Sequence, residues 1–296
     1  MLEPTMYLKL GLVRWARQIT WAAALIADAA FAQGNGELVG LINAYRNAPQ
    51  TCEGRRTAAA SPLAPAPVLS RVQVASGGQL QDALKEQGYQ AAQFHMISVS
   101  GPASASASAS AVMKLLTQRY CRPLLSTHYA DIGISRDADT WRIVLARPLL
   151  APDLGEWRKA GQEILSLANI ARAEPRTCGG QQFSPAPPVA WSAAIAAAAH
   201  VHSQDMANQN YFSHSGKDGR QVSDRASREG YDWRRVGENI AAGQGSPEQV
   251  MAAWLSSPSH CANIMSRSFT EMGAAYAVNS DSDATIYWTQ VFGTPR

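Results

Sequence analysis

Two stretches of this chain, LINAYRNAPQTCEG (Leu41–Gly54) and LANIARAEPRTCGG (Leu167–Gly180), align without a gap and are identical at seven of fourteen positions. The offset is 167 − 41 = 126 residues, and the same register puts Leu38 over Ile164. Further blocks follow in the same order in both halves. QLQDALKEQGY (Gln79–Tyr89) lies over QVSDRASREGY (Gln221–Tyr231), and Val112-Met113 over Val250-Met251. YCRPLLSTHYADIG (Tyr120–Gly133) lies over HCANIMSRSFTEMG (His260–Gly273). A period this long means two tandem domains rather than a solenoid. The boundary is placed in RPLLAPDLGEW (Arg147–Trp157), where two prolines and a glycine interrupt the pattern. The expected division is therefore 33–150 and 151–296. The halves are unequal: 8 residues separate Ser70 from Gln79, but 28 separate Ser192 from Gln221, so the first copy is expected to be truncated by a helix-sized piece. It carries instead ASASASAS (Ala103–Ser110), a low-complexity spacer.

Periodicity predicts an amphipathic helix at the start of each half, with Leu38, Leu41, Ile42 and Tyr45 on one face of the first and Ile164, Leu167, Ala168 and Ala171 on one face of the second. An alanine-rich helix is expected from about Val189 to Gln209, showing Trp191, Ile195, Ala199, His202 and Met206 on one side. Ser246 and Pro247 give the start signal of another helix through Trp254. TWRIVLA (Thr140–Ala146), GAAYAVN (Gly273–Asn279) and IYWTQVF (Ile286–Phe292) read as strands. Helices with a short antiparallel sheet, without βαβ spacing, give an α+β class in layers.

Lys9, Arg14 and Arg17 precede the apolar run Ile19–Ala27, and Ala30-Phe31-Ala32 ends it in a small-x-small pattern. Residues 1–32 thus read as a secretory signal peptide, an uncleaved anchor being the alternative. The run is short for a membrane span, and no other stretch is long and apolar enough. The whole chain carries +3, and residues 1–32 hold three basic and two acidic groups, leaving 3 − 1 = +2. That near balance, with no basic stripe interleaved with aromatics, excludes a nucleic-acid surface. Export makes disulfides the default state of the four cysteines. Cys52 matches Cys178 and Cys121 matches Cys261, so the pairing that respects the repeat is Cys52–Cys121 and Cys178–Cys261.

This pairing also separates the neighbours His260 and Cys261. A nucleophile beside its base is one reading of the pair. But Cys121 keeps the cysteine while Tyr120 replaces the histidine, so Cys261 reads as architecture and His260 as the candidate for chemistry. His214 in NYFSHSGKDG and Glu238 in VGENIAAG are the other candidates. In the first half Met96 aligns near Glu238, and the segment that would hold a counterpart of His214 is missing, so no such site is expected there. His200 and His202 are two apart on a helix and diverge, so they do not make a ligand pair, and His202 is expected to pack on the apolar side. Ser203 and Asp205 beside them lie on the same turn, which is not triad geometry. No GxSxG, P-loop or GxGxxG occurs.

In order, HSQDMA, FSHSGKDG, GYDWRRVGENIAAG, WLSSPSHCANIM and YWTQVFG resemble bacterial members of the CAP superfamily, which includes the cysteine-rich secretory proteins, antigen-five allergens and plant pathogenesis-related proteins. The resemblance covers about residues 160–296; only the internal repeat connects the first half to it. It implies an α-β-α sandwich with a groove lined by two histidines and two acidic residues. By motif the first histidine is His214, the first glutamate Glu238 and the second histidine His260. The position of the second glutamate, three residues after Trp254, holds Ser257. The chain thus departs from the full tetrad. Two neutral imidazoles can bind Zn²⁺ or another divalent cation, with Glu238 as third ligand or as base for a bound water, although no cofactor is required. Three functions follow as expectations. A non-enzymatic groove would bind a small ligand or a cell-envelope component, such as a lipid, cell-wall fragment or peptide. A hydrolase would use His260 and Glu238. A structural module would do neither. The missing second acid favours the first. The expected location is secreted or periplasmic.

Overall fold

The computed structural model describes residues 34–74, 79–100, 108–137, 139–149 and 154–296. In the first half the elements are α1 (34–46), β1 (Gln50–Cys52), β2 (Arg55–Thr57), β3 (Ala64–Pro65), α2 (Pro67–Ser70), α3 (Leu80–Glu86), β4 (Ala91–Ser100), α4 (Ala109–Arg119), α5 (Cys121–Leu125), β5 (Asp131–Asp137) and β6 (Thr140–Pro148). In the second they are α6 (Trp157–Ala173), β7 (Arg176–Cys178), β8 (Gln181–Phe183), β9 (Ala190–Trp191), α7 (Ala193–Asn208), α8 (Val222–Arg228), β10 (Trp233–Ala242), α9 (Pro247–Ser256), α10 (Pro258–Met265), β11 (Glu271–Val278) and β12 (Ile286–Pro295). The order of helices and strands is the same in both. So is the sheet: β3-β5-β6-β4 in the first half and β9-β11-β12-β10 in the second, each with one parallel pair and two antiparallel pairs.

The second half is a helix–sheet–helix sandwich. Alternation along β11 sends Met272, Ala274 and Tyr276 into a core with α6, α9 and α10, while Ala275 packs with α7 on the other face. Trp254 and Trp288 are wholly buried in the first of these layers. Their indole N–H groups donate to the carbonyls of Ile240 (3.1 Å) and Gln244 (2.9 Å), so burial leaves no donor unpaired. Close approach of helix to sheet needs glycine in both halves. A Cβ on Gly273 would lie 2.3 Å from the Ala196 nitrogen, and one on Gly133 would lie 2.3 Å from Leu69 Cβ.

Disulfides Cys52–Cys121 and Cys178–Cys261 are both present, as the repeat predicts. Beside each, a buried arginine of the opening helix holds the segment after the second cysteine. Arg172 donates to the carbonyls of Pro187, Ile264 and Ser266, and Arg46 to those of Ser61, Leu124 and Ser126. Burial lowers the Arg46 pKa to about 9.

Several sequence expectations are corrected. The helix expected from Val189 begins at Ala193, and Trp191 belongs to a strand. The amides of Ala190 and Ser192 donate to Thr270 and Met272 and draw that segment into the sheet beside β11. The piece expected to be missing from the first half is shortened rather than absent: the four-residue α2 stands where α7 has sixteen. In the alanine–serine stretch, Ser108 caps α4, and Ala109 and Ser110 open it. The rest of that stretch and the leader through Ala32 lie outside the described residues. No helix among the described residues is long and apolar enough to cross a membrane.

The two halves meet where β3 and α1 touch α9. Asn43 Nδ2 donates to Ser256 Oγ (2.8 Å) and Asn47 Nδ2 to Ser259 Oγ (3.0 Å). Gln244 Nε2 reaches the carbonyl of Pro62 at 2.9 Å.

Candidate functional site

Glu238 sits in β10, an edge strand, and strand alternation turns it toward α7 and α8 with Ile240, while Asn239 turns toward α10. Its side chain is 2% exposed, yet it is charged and fully partnered. His214 Nδ1 donates to Oε1 at 2.8 Å, and Arg225 Nη2 to Oε2 at 2.6 Å. Burial raises the Glu238 pKa. The His214 hydrogen bond and the charges of His202, Arg225 and His214 outweigh it and hold the carboxyl below its ordinary range. A buried carboxylate is tolerable only with such pairing.

His214 lies in the loop between α7 and α8, which is fixed by its own backbone. The Gly216 amide donates to Arg220 O at 2.9 Å, and Gly219 takes φ +82°, a conformation that glycine reaches without strain. Arg225 clamps the loop from α8, donating to the carbonyls of Arg220 (2.9 Å) and His214 (3.1 Å). The His214 side chain is 50% exposed, so it forms the roof over a buried Glu238. With Nδ1 committed to the carboxylate, Nε2 is the ring nitrogen left for a ligand.

His260 stands at the start of α10. Its Nδ1 shares a 2.8 Å hydrogen bond with Ser257 Oγ, and both residues are buried. Ser257 thus fills the place of the expected second acid as the partner of His260. Burial, with the charge of His214 nearby, lowers the His260 pKa to about 3, so the imidazole is neutral at physiological pH. His202 packs in the core as expected, but it also belongs to the site. Its Nε2 donates to Ser213 O at 2.9 Å and lies 3.9 Å from Glu238 Oε1. Burial lowers its pKa as well.

Arg225, Asn239, Asn263 and Gln290 surround the candidate residues without being marked by the sequence patterns above. Asn263 donates to Asn239 Oδ1 (2.9 Å) and Asn239 to Gln290 Oε1 (3.0 Å), an amide chain that ties α10 to the sheet. Arg225 was legible by the same comparison that isolated His260: its counterpart in the first half is Ala83. Three outward backbone groups of β10 are occupied too. Glu238 O accepts from Asn263, Ile240 O from the Trp254 indole, and the Ala242 amide donates to Ser61 Oγ of the first half at 2.9 Å.

A tetrahedral metal site asks for three or four protein donors. Here Glu238 is a poor third ligand, because the Arg225 guanidinium already holds it and would repel a cation. Among the described residues, the only three His, Cys, Asp or Glu side chains with ligand atoms within 4.8 Å of one another are Cys52, Glu53 and Cys121, and the two cysteines are bonded to each other. The site offers at most one ring nitrogen each from His214 and His260. An open groove of about 500 Å³ runs beside β10 and α10, with Phe183, Trp233, Val236, Asn263 and Phe269 in its walls; His214, Glu238 and His260 do not line it.

Residues 165–292 match the model of the cysteine-rich secretory protein family, CAP. The chain is 39% identical over 98 residues to the "Uncharacterized protein YkwD" of Bacillus subtilis, covering 33% of this chain and 36% of that one. It is 28% identical over 137 residues to the "Uncharacterized membrane protein YlbC" of the same organism, covering 45% and 37%. The chain thus spans little more than a third of the length of these relatives. Among solved structures, an extracellular protein containing a SCP domain from Bacillus anthracis aligns with a TM-score of 0.40 at 26% identity, covering 53% of this chain and 52% of that one.

Proposed function

We propose that the CAP domain formed by residues 165–292 of this chain is a binding module of an exported protein, with His214 as its exposed contact and Glu238, Arg225 and His260 as the support beneath it. The observation that carries this reading is the state of Glu238. Both carboxylate oxygens are already engaged, by His214 and Arg225, so no free base stands ready. The second acid is replaced by Ser257, which is committed to His260. Such a floor is rigid and charge-balanced, suited to presenting one imidazole nitrogen to a ligand at the surface. The ligand class is a lipid, cell-wall fragment or peptide. Export is supported by the leader pattern and by both cysteine pairs being oxidised.

The first half, 33–150, is proposed as a decayed copy of the same domain. Identical element order, the matching disulfide and the matching buried arginine support this, and Ala83, Met96 and Tyr120 stand where the site residues would be.

The test is a thermal-shift panel of peptides, glycans and lipids. A ligand that raises the melting temperature of the native chain but not of His214→Ala supports the reading. Turnover on a peptide and ester panel, lost in Glu238→Gln, would replace it with a hydrolase. In a zinc titration, affinity unchanged by His214→Ala with His260→Ala would remove the metal site.

A further inference from the structure

β4 is an outermost strand of the first half's sheet, as β10 is of the second's. The two hold the same register: Met96 pairs with Val144 as Glu238 pairs with Val291, so Ser98 stands for Ile240 and Ser100 for Ala242. In β10 the outward carbonyls of Glu238 and Ile240 accept from Asn263 and from the Trp254 indole. The repeat puts Pro123 in the place of Asn263 and Leu116 in the place of Trp254. Neither side chain has a hydrogen to donate. Among the described residues, no group bonds to the outward backbone of Met96, Ser98 or Ser100. A bulge lies at the start of β4, between Ala91 and Gln93, and the register is regular from Gln93 to Ser100. Ala91–Ser100 holds no Asp, Glu, Lys, Arg or Pro, whereas β10 holds Arg234, Arg235 and Glu238. Charge and proline are common means of keeping an edge from pairing.

We propose that β4 pairs antiparallel with β4 of a second copy of this chain, joining two four-stranded sheets into one continuous sheet. The strand is its own complement. About a two-fold axis each outward residue meets another outward residue, and the two exchange both N–H to C=O bonds. No charge is set against a like charge. Ile97 and Val99 are buried in the core with α4, Ser98 and Ser100 are exposed, and pairing in the plane of the sheet keeps each set on its own side. The inference is independent of the function proposed for the second half, because it involves none of His214, Glu238 or His260. It gives the half without the charged cluster a role in assembly.

The test is sedimentation of the chain as exported across a dilution series, with amide hydrogen exchange read in parallel. The expected result is a dimer that dissociates on dilution, the amides of Met96, Ser98 and Ser100 being protected in the dimer and fast in the monomer. Ser98→Pro removes an outward N–H and leaves the β6 ladder intact, since proline is tolerated where an edge N–H faces solvent. It should raise the dimer dissociation constant at least about tenfold, because symmetry counts the lost bond twice. Ser98→Lys should weaken the dimer as well by placing a cation on each copy's edge, while Ser98→Thr and His214→Ala should leave it unchanged. Melting of each variant in the dilute, monomeric range checks that it folds, and Ser98→Lys decides the matter if the proline variant does not. A monomer at every concentration, whether or not it takes up an extended peptide, would overturn the proposal. So would a dimer untouched by Ser98→Lys, or outward amides whose exchange does not follow dilution.

Discussion

Where the second half carries Arg225, Glu238 and His260, the first carries Ala83, Met96 and Tyr120 on the same framework. In the second half those positions make a buried, charge-paired cluster under an exposed histidine. In the first, Ala83 and Met96 join Leu84, Tyr89 and Val144 in an apolar cluster. The strands, disulfide and buried arginine persist in both. The comparison separates what the framework needs from what the charged cluster needs: the charged residues hold one another in place, and an apolar set fills the same positions in the first half.

The sharpest way to break this comparison is to strand a charge. Glu238→Ala leaves Arg225 buried and unpaired and is expected to cost about 3–5 kcal/mol in denaturant unfolding. Glu238→Met with Arg225→Ala, which copies the first half, should cost clearly less than the sum of the single changes. Additive costs would show that the two residues do not act as a pair. Removing either disulfide by paired Cys→Ala changes is expected to cost about 4 kcal/mol, nearly equal in the two halves because the bridged separations are 69 and 83 residues. A large inequality would mean that one half does not depend on the common framework.

Acid should act on the two halves with opposite signs. His260 has its folded pKa depressed to about 3, so its contribution is fully present above the ordinary histidine value of about 6.5 and is lost as pH falls toward 3. Asp131, in the first half, is pushed up to about 6 by burial, against the pull of its Tyr89 hydrogen bond. Its contribution is present below the ordinary aspartate value of about 3.9 and is lost as pH rises through 6. Melting followed against pH should show His260→Gln flattening the acid slope and Asp131→Asn raising stability at neutral pH. The reverse pattern would contradict the burial of either group. The smallest effect is expected at the junction, where Ser61→Ala removes one hydrogen bond to the Ala242 amide and costs about 1 kcal/mol.

Much of this is legible in the sequence, because the chain is its own comparison. Aligning Cys52 with Cys178 and Cys121 with Cys261 yielded the disulfides, and contrasting Tyr120 with His260 separated architecture from chemistry. Reading the same contrast at Ala83 would have found Arg225. The role of Ser257 was not legible, because an acid's absence says nothing of which group takes its place. The Asn263–Asn239–Gln290 chain depends on α10 folding back over β10, a juxtaposition of residues far apart in sequence. Trp191 misled the helix boundary because an apolar residue before an alanine run fits helical periodicity, while pairing to β11 depends on a partner about eighty residues later.

The junction between the halves has one more consequence. β10 is the outermost strand of its sheet, and an outermost strand is an invitation for a strand of another molecule to add on. From Glu238 to Ala242 three of the groups such a strand would use are already taken. An asparagine and an indole take two of the outward carbonyls, and a serine from the first half takes an outward amide. The second half guards most of this stretch itself, with Asn263 and Trp254, and the first half adds Ser61 at the end of the strand, so that pairing of another strand here would first have to displace all three.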